Sequence, residues 1–172
     1  MQRDVRKFGI SDKRGRVKTN QDPFLPQDGL KEPSLCSHCK SVYNHNRWSQ
    51  DSESYRELEL SAKVNWITCP ACQKVEAGYP EGIVTLRGGY LWEHEDEIRH
   101  ILQNEETKAY AKNPLERIIR MTRDKDQLVI ETTEEKLAEH LGRVLHRAHS
   151  GELRITWAGN PDICRVNWER AH

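Results

Sequence analysis

Four of the five cysteines fall in two Cys-x-x-Cys pairs, Cys36-Ser37-His38-Cys39 and Cys69-Pro70-Ala71-Cys72, about 30 residues apart. Each pair can fold into a tight knuckle that offers two thiolates to one cation. Four sulfurs then close a tetrahedral shell, the geometry of a structural zinc site. A redox-active dithiol would need a single such pair opening a helix on a thioredoxin-like sheet, and two pairs without that context argue against it. Zn2+ is therefore the expected cofactor, with Cys36, Cys39, Cys69 and Cys72 as ligands. His38 and His45 are near the first pair, but the sulfurs already close the shell, so both are expected at the surface or just outside it. Cys164 lies alone in an apolar strand and reads as a small core residue.

Other residue patterns offer little catalytic chemistry. His94-Glu95-Asp96-Glu97-Ile98-Arg99-His100 looks like a zinc-protease helix, but that motif needs its second histidine four residues after the first, and position 98 is Ile98. His100 falls on another face of the helix. No phosphate-cradling glycine loop and no nucleophile elbow occurs. The expectation is a protein without catalytic residues or a small-molecule substrate.

Charge supplies the second kind of chemistry. The formal net charge is zero, with 27 basic and 27 acidic residues. Yet residues 1–20 hold Arg3, Arg6, Lys7, Lys13, Arg14, Arg16 and Lys18 against Asp4 and Asp12, which is seven minus two, or +5, leaving −5 for the rest. A basic arm on a mildly acidic body suits a polyanionic partner such as RNA. No apolar run approaches the roughly 20 residues of a membrane-spanning helix. The first residues lack the apolar centre of a signal peptide, so a cytoplasmic location with no membrane partner is expected.

The elements that must position these groups fall into three parts. Residues 1–33 are poor in large apolar groups and rich in glycine and proline, the composition of a disordered arm. Residues 34–80 read as a zinc ribbon, with strands near Val42 and over 64–68, a short helix over 52–61, and Tyr43, Trp48 and Trp66 covering the metal. Residues 81–172 read as an α+β domain. Strand 82–87 is followed by a helix over 90–112, a hairpin of strands 117–123 and 127–132, a helix opened by a Thr132/Glu135 capping box, and strands 152–157 and 163–168. The second helix carries a core stripe of Leu137, Leu141, Val144, Leu145 and Ala148. The order β-α-β-β-α-β with one extra strand is the ferredoxin-like plan, with both helices on one sheet face and the other face open. Strand parity puts Val84, Leu86, Ile119, Met121, Leu128, Ile130, Leu153, Ile155, Trp157, Val166 and Trp168 toward the helices. The open face then carries Arg87, Arg120, Arg154 and Arg165 among Thr85, Glu131, Thr156 and Asn167. Four arginines without stacking aromatics suit contact with a phosphate backbone rather than base reading. His140, Arg143 and Arg147 form a further basic stripe on the last helix.

The second knuckle joined to Gly78-Tyr79-Pro80-Glu81-Gly82-Ile83-Val84-Thr85-Leu86-Arg87, then a long helix and a hairpin, resembles the amino-terminal part of the large-ribosomal-subunit export adaptors known as nonsense-mediated mRNA decay protein three. It is more similar still to small bacterial zinc-ribbon proteins that share that core. The resemblance covers residues 34–170 and implies zinc on the four cysteines and association with the large ribosomal subunit near the tRNA path. The chain has only two Cys-x-x-Cys pairs where the longer members have more, and it lacks their later domains. The combined expectation is a non-enzymatic, zinc-containing, rRNA-binding factor of hibernation, biogenesis or quality control, partnered with the ribosome. A zinc-ribbon DNA-binding or transcription adaptor is the alternative.

Overall fold

The computed structural model describes Phe24, residues 29–159 and residues 163–172. The arm arginines and lysines Arg3, Arg6, Lys7, Lys13, Arg14, Arg16 and Lys18, and most of the expected disordered arm, lie outside the described residues. What remains is a mixed α+β chain with two sheets and five helices among the described residues.

The first sheet is small. It is built from β1 (Ser34–Cys36), β2 (Val42–Asn44), β3 (Arg47–Ser49) and β4 (Asn65–Ile67), in the order β3-β2-β1-β4. His45 and Asn46, at φ 52° and 60°, form the left-handed pair that joins β2 to β3, the geometry of a tight hairpin turn. Helix α1 (Ser52–Glu59) is capped by Asp51, whose carboxylate accepts from the Glu53 and Ser54 amides at 3.1 Å. It buries Tyr55 against Leu35 and Val42. Helix α2 (Pro70–Ala77) is an element the cysteine spacing alone did not anticipate. Cys69 is its N-cap, Pro70 stands in its first turn where a missing N–H is harmless, and Gly78 ends it in the left-handed conformation.

The second sheet is the body. Its strands are β5 (Gly82–Arg87), β6 (Ile118–Asp124), β7 (Gln127–Thr132), β8 (Glu152–Ala158) and β9 (Ile163–Glu169), in the order β6-β7-β5-β9-β8. Strands β5, β6 and β7 stand as a β-α-β-β-α-β plan requires. That plan would seat β8 beside β5; instead β9 occupies that place, parallel to β5, and displaces β8 to the edge. Helices α4 (Glu95–Lys112) and α5 (Glu135–His149) cover one face, and a short α3 (Gly89–Glu93) leads into α4. The single helix expected over 90–112 is thus interrupted at His94, whose φ of −122° is not helical.

The core between sheet and helices contains Val84, Leu86, Leu128, Ile130, Val166 and Trp168 from the strands, with Leu91, Ile98, Leu102, Leu137, Leu141 and Leu145 from the helices. Burying each such side chain contributes about 1.5–3 kcal/mol, so this layer dominates the stability of the body. Cys164 is buried in it, as the sequence indicated. Gly142 lets α5 approach β9: a Cβ there would overlap Val166 Cγ1 and meet Leu153 Cδ1 at 3.1 Å.

Three local expectations change. The register shifts between Ile118 and Arg120, so a bulge at Ile119 lets Ile118 and Met121 pack on the core while Arg120 keeps the open face. The Thr132/Glu135 capping box does not form: Glu134 is the N-cap without a side-chain bond, and Thr132 Oγ1 instead donates to the Glu134 carbonyl at 2.8 Å. Late in α5, Ala148 is exposed and His149 is buried, because the helix's last turn faces Tyr90, with the Tyr90 hydroxyl 3.0 Å from His149 Nδ1.

Candidate metal centre and the open sheet face

The two cysteine pairs meet between the small sheet and α2. Backbone bonds from Cys36 N–H to the Ser41 carbonyl and from Lys40 N–H to the Cys36 carbonyl close the first knuckle, and Lys40, at φ 62°, turns the chain back. The second pair comes from the first turn of α2 rather than from a second hairpin knuckle, with Cys69 and Cys72 three residues apart on one helix face. All four sulfurs lie within 4.8 Å of one another. Cys36 to Cys72 and Cys39 to Cys69 are each 3.7 Å, close to the edge of about 3.8 Å that follows from a tetrahedron with metal–sulfur bonds of about 2.3 Å. The separations are far beyond the roughly 2.05 Å of a disulfide, and the thiols are free. The donor set therefore fits a thiolate-binding metal ion.

The surroundings supply positive charge. The Cys69 amide points at Cys36 Sγ (3.3 Å) and the Cys72 amide at Cys69 Sγ (3.4 Å). Arg117, just before β6 in the body, donates from Nη2 to Cys72 Sγ at 3.0 Å and lies 4.0 Å from Cys69 Sγ. Burial pushes the Cys72 thiol up, and Arg117 pulls against that push. Burial alone would lower Arg117, but the hydrogen bond and charge of Cys72 outweigh it and hold the guanidinium charged. Hydrogen bonds from Cys39 and then Cys69 pull the Cys36 thiol far down, while hydrogen bonds from Cys36 and then Cys39 push the Cys69 thiol far up, so the four thiols share their protons unequally. Arg117 Nε is buried without a partner.

Further contacts tie this centre to both halves of the chain. Gln50 Nε2 donates to Ser41 Oγ at 2.7 Å and to the Tyr110 hydroxyl of α4 at 2.8 Å, and Ser41 Oγ is 2.9 Å from Cys39 Sγ. Lys74 of α2, almost fully buried, pairs with Glu81 at 2.8 Å and Glu134 at 3.2 Å. Trp48, Tyr43 and Ile67 pack around the cysteines. Trp66 does not: it is 48% exposed and turns away, because alternation along β4 directs its neighbour Ile67 toward the metal. His38 is exposed and lines a cleft of about 300 Å3 with Cys39, Cys72, Val75, Glu76 and Arg117. His45 belongs to the hairpin turn.

The open face of the body does collect Arg87, Arg120, Arg154 and Arg165. Across the register, one row reads Arg120, Glu131, Ile83, Arg165 and Thr156. The next holds Thr122, Val129, Thr85, Asn167 and Arg154, and the third Asp124, Gln127, Arg87, Glu169 and Glu152. Four carboxylates are thus interleaved with the four arginines. Arg120 is engaged by Glu131, Arg87 Nε by Gln127 at 2.9 Å, and Arg154 lies 3.7 Å from Glu152. On α5, His140 contacts Glu105 at 2.7 Å and Arg143 contacts Glu139 at 2.9 Å.

Sequence reasoning missed Arg117 and Lys74 as partners of the metal module. Arg117 is one arginine among many in the sequence, and nothing near it marks its target. Pro70 inside the second pair was the available sign that this pair opens a helix. Among the described residues, no helix is long and apolar enough to cross a membrane. Compared with known proteins, the chain matches no family model, and neither a curated protein nor a solved structure is significantly similar to it.

Proposed function

We propose that Cys36, Cys39, Cys69 and Cys72 hold one structural Zn2+ and that the chain is a non-enzymatic RNA-associated factor of the large ribosomal subunit. The zinc reading is carried by the four-sulfur cluster itself: hard cations prefer oxygen, whereas a compact all-thiolate set suits zinc. When bound, the ion supplies cross-linking and negative charge rather than a reaction, since four protein ligands leave no place for substrate. Arg117 and the Cys69 and Cys72 amides offset that charge.

The ribosomal part of the reading draws on the basic segment of residues 1–20 and on the resemblance carried by the second cysteine pair and the Gly82–Arg87 strand. In it, the body is a ferredoxin-like unit with an inserted strand, the small module is a ribbon variant, and the protein works in the cytoplasm. Contact through the open face would use Arg165 first, because Arg120 must leave Glu131 and Arg87 must leave Gln127 to reach a phosphate.

Metal content of the purified protein should approach one zinc per chain and fall by half or more in Cys69→Ser. Sucrose-gradient sedimentation of tagged protein at low and high salt tests the second part: salt-sensitive movement with large subunits is expected. Confinement to the top fractions in every growth condition would overturn it, and retention on duplex DNA without ribosomes would turn the reading to a transcription adaptor.

A further inference from the structure

The stretch from His94 to His100 fails as a protease motif, but the fold brings a different histidine to its first residues. α3 ends and α4 begins at His94, and this break leaves the imidazole without a capping bond. The ring stacks on Tyr90, with centroids 4.0 Å apart and planes at 25°. Its Nδ1 is 3.5 Å from Oε2 of Glu97, one turn on. The other oxygen of that carboxylate, Oε1, is 4.0 Å from Nε2 of His149 at the end of α5. One carboxylate thus stands between two imidazoles from different helices.

His149 is the fixed member of the three. It is 5% exposed, and its Nε2 is fully buried with no hydrogen-bond partner among the described residues. A buried polar atom left unpaired costs free energy and calls for an explanation. Its Nδ1 lies 3.0 Å from the Tyr90 hydroxyl. With the Nδ1 proton donated to that hydroxyl, Nε2 keeps a free lone pair directed at Glu97. A hydrogen bond on the second ring nitrogen is how proteins orient a metal-binding histidine. Tyr90 is itself clamped between the His94 ring and the Arg170 guanidinium, which sits 3.7 Å from the phenol centroid. Arg170 also donates to the His149 carbonyl. Outside the trio, a cleft of about 350 Å3 is lined by Trp92 and by residues 93–97, four of which carry carboxylates.

We propose that His149 Nε2, His94 Nδ1 and the Glu97 carboxylate form a second metal site, for a divalent transition ion such as Zn2+, Ni2+ or Co2+. Two imidazoles and one carboxylate suit these borderline ions, whereas Mg2+ and Ca2+ prefer oxygen alone. The donors stand slightly open. Bonds of about 2.0–2.1 Å in a tetrahedron put donors about 3.4 Å apart and ring centroids about 5.2 Å apart. Here the carboxylate is 3.5 and 4.0 Å from its two nitrogens, and the ring centroids are 6.3 Å apart. Closure by about an ångström falls to the two exposed ligands, since the Glu97 side chain is 62% exposed and His94 sits at a break between helices. The bound ion would tie the α3–α4 junction to the end of α5 and keep its remaining positions for water. The inference is independent of the four-cysteine centre and of the ribosomal reading.

The test titrates the full chain, already holding zinc on its cysteines, with Ni2+ in a calorimeter, while a chromophoric indicator watches for displaced zinc. One equivalent of Ni2+ should bind without zinc release, and excess Mg2+ should not compete. His94→Ala and Glu97→Gln, both at exposed side chains, should each weaken binding tenfold or more. Tyr90→Phe, which removes only the hydroxyl that orients His149, should weaken it roughly tenfold. His100→Ala and His146→Ala should leave it unchanged. Paramagnetic Ni2+ should broaden the His149 ring signals in nuclear magnetic resonance, which reports the buried ligand without substituting it. Unchanged affinity in His94→Ala or Glu97→Gln, a loss in His100→Ala or His146→Ala, or His149 signals that stay sharp would overturn the proposal. So would the absence of saturable binding, since the trio would then be an imidazole–carboxylate contact that takes up only protons.

Discussion

Replacing Arg117 with methionine removes the one side-chain cation that, among the described residues, touches the sulfur cluster, while keeping apolar bulk. The guanidinium is 3.0 Å from Cys72 Sγ and 4.0 Å from Cys69 Sγ. A unit charge pair at 4 Å is worth about 4 kcal/mol at an effective permittivity of 20, and a four-thiolate zinc centre carries a net charge of about −2. Part of that attraction offsets the desolvation of the half-buried guanidinium and its unpartnered Nε. The net value of a hydrogen bond to a charged group, about 1.5–3 kcal/mol, is the appropriate scale. It corresponds to a roughly 10- to 100-fold loss of zinc affinity, the range found when groups that orient metal ligands are removed. Competition against a chromophoric chelator at neutral pH measures the loss directly, with circular dichroism to show that the variant is folded. Arg117→Lys, which keeps the charge but not the forked geometry, should recover part of it. A folded Arg117→Met protein that binds zinc within about twofold of the parent would refute this account of the centre.

Lys74→Ala should destabilise the chain by about 3–5 kcal/mol in urea titration, because Glu81 and Glu134 lose a buried cation that faces both. Gly142→Ala should cost about 1–3 kcal/mol through overpacking against Val166 and Leu153, a loss that a helical Gly→Ala change on an open surface would not show. Hydrogen bonds from Lys108 and then His140 hold the Glu105 carboxyl below its ordinary value of 4.5. Its folded pKa is thus below its unfolded one, so its contribution is present above pH 4.5 and is lost as pH falls through the folded value. Glu105→Gln should therefore show a shallower loss of urea midpoint on acidification than the parent does. Removing zinc with a chelator, or by Cys69→Ser, should withdraw on the order of 10 kcal/mol from the small module. Near-ultraviolet signals from Trp48 should collapse, while the body, with its own core, keeps its far-ultraviolet spectrum.

The sequence was most readable where a period or a spacing has one physical meaning. Alternation placed Val84, Leu86, Leu128, Ile130, Val166 and Trp168 in the core, and the spacing of the four cysteines brought them to one cluster. It was least readable where a single residue changes register. The bulge at Ile119 exchanges which isoleucine meets the helices, and no residue type there announces it. His149 carries the composition of a solvent-facing helix end, yet packing against Tyr90 buries it. The seat of β9 was illegible for a related reason: β8 and β9 have similar alternation, and only tertiary pairing decides which of them lies beside β5. The carboxylates on the open sheet face were visible as letters. Their interleaving with the arginines depends on a register across five strands, which local patterns do not contain.

The parallel seam between β5 and β9 also sets an order of events during folding. Gly82 pairs with Cys164 and Arg87 with Glu169, so the central pairing of the sheet joins segments 82 residues apart in both cases (164 − 82 and 169 − 87). Strands β5, β6 and β7 can associate through shorter loops, but β8 reaches the sheet only through β9. A chain still lacking residues 163–169 would expose one edge of β5 and leave β8 without a partner. Closing so long a loop is slow relative to hairpin formation. The body therefore gains its full cooperativity only in the last step, when its penultimate and final strands enter together as one hairpin.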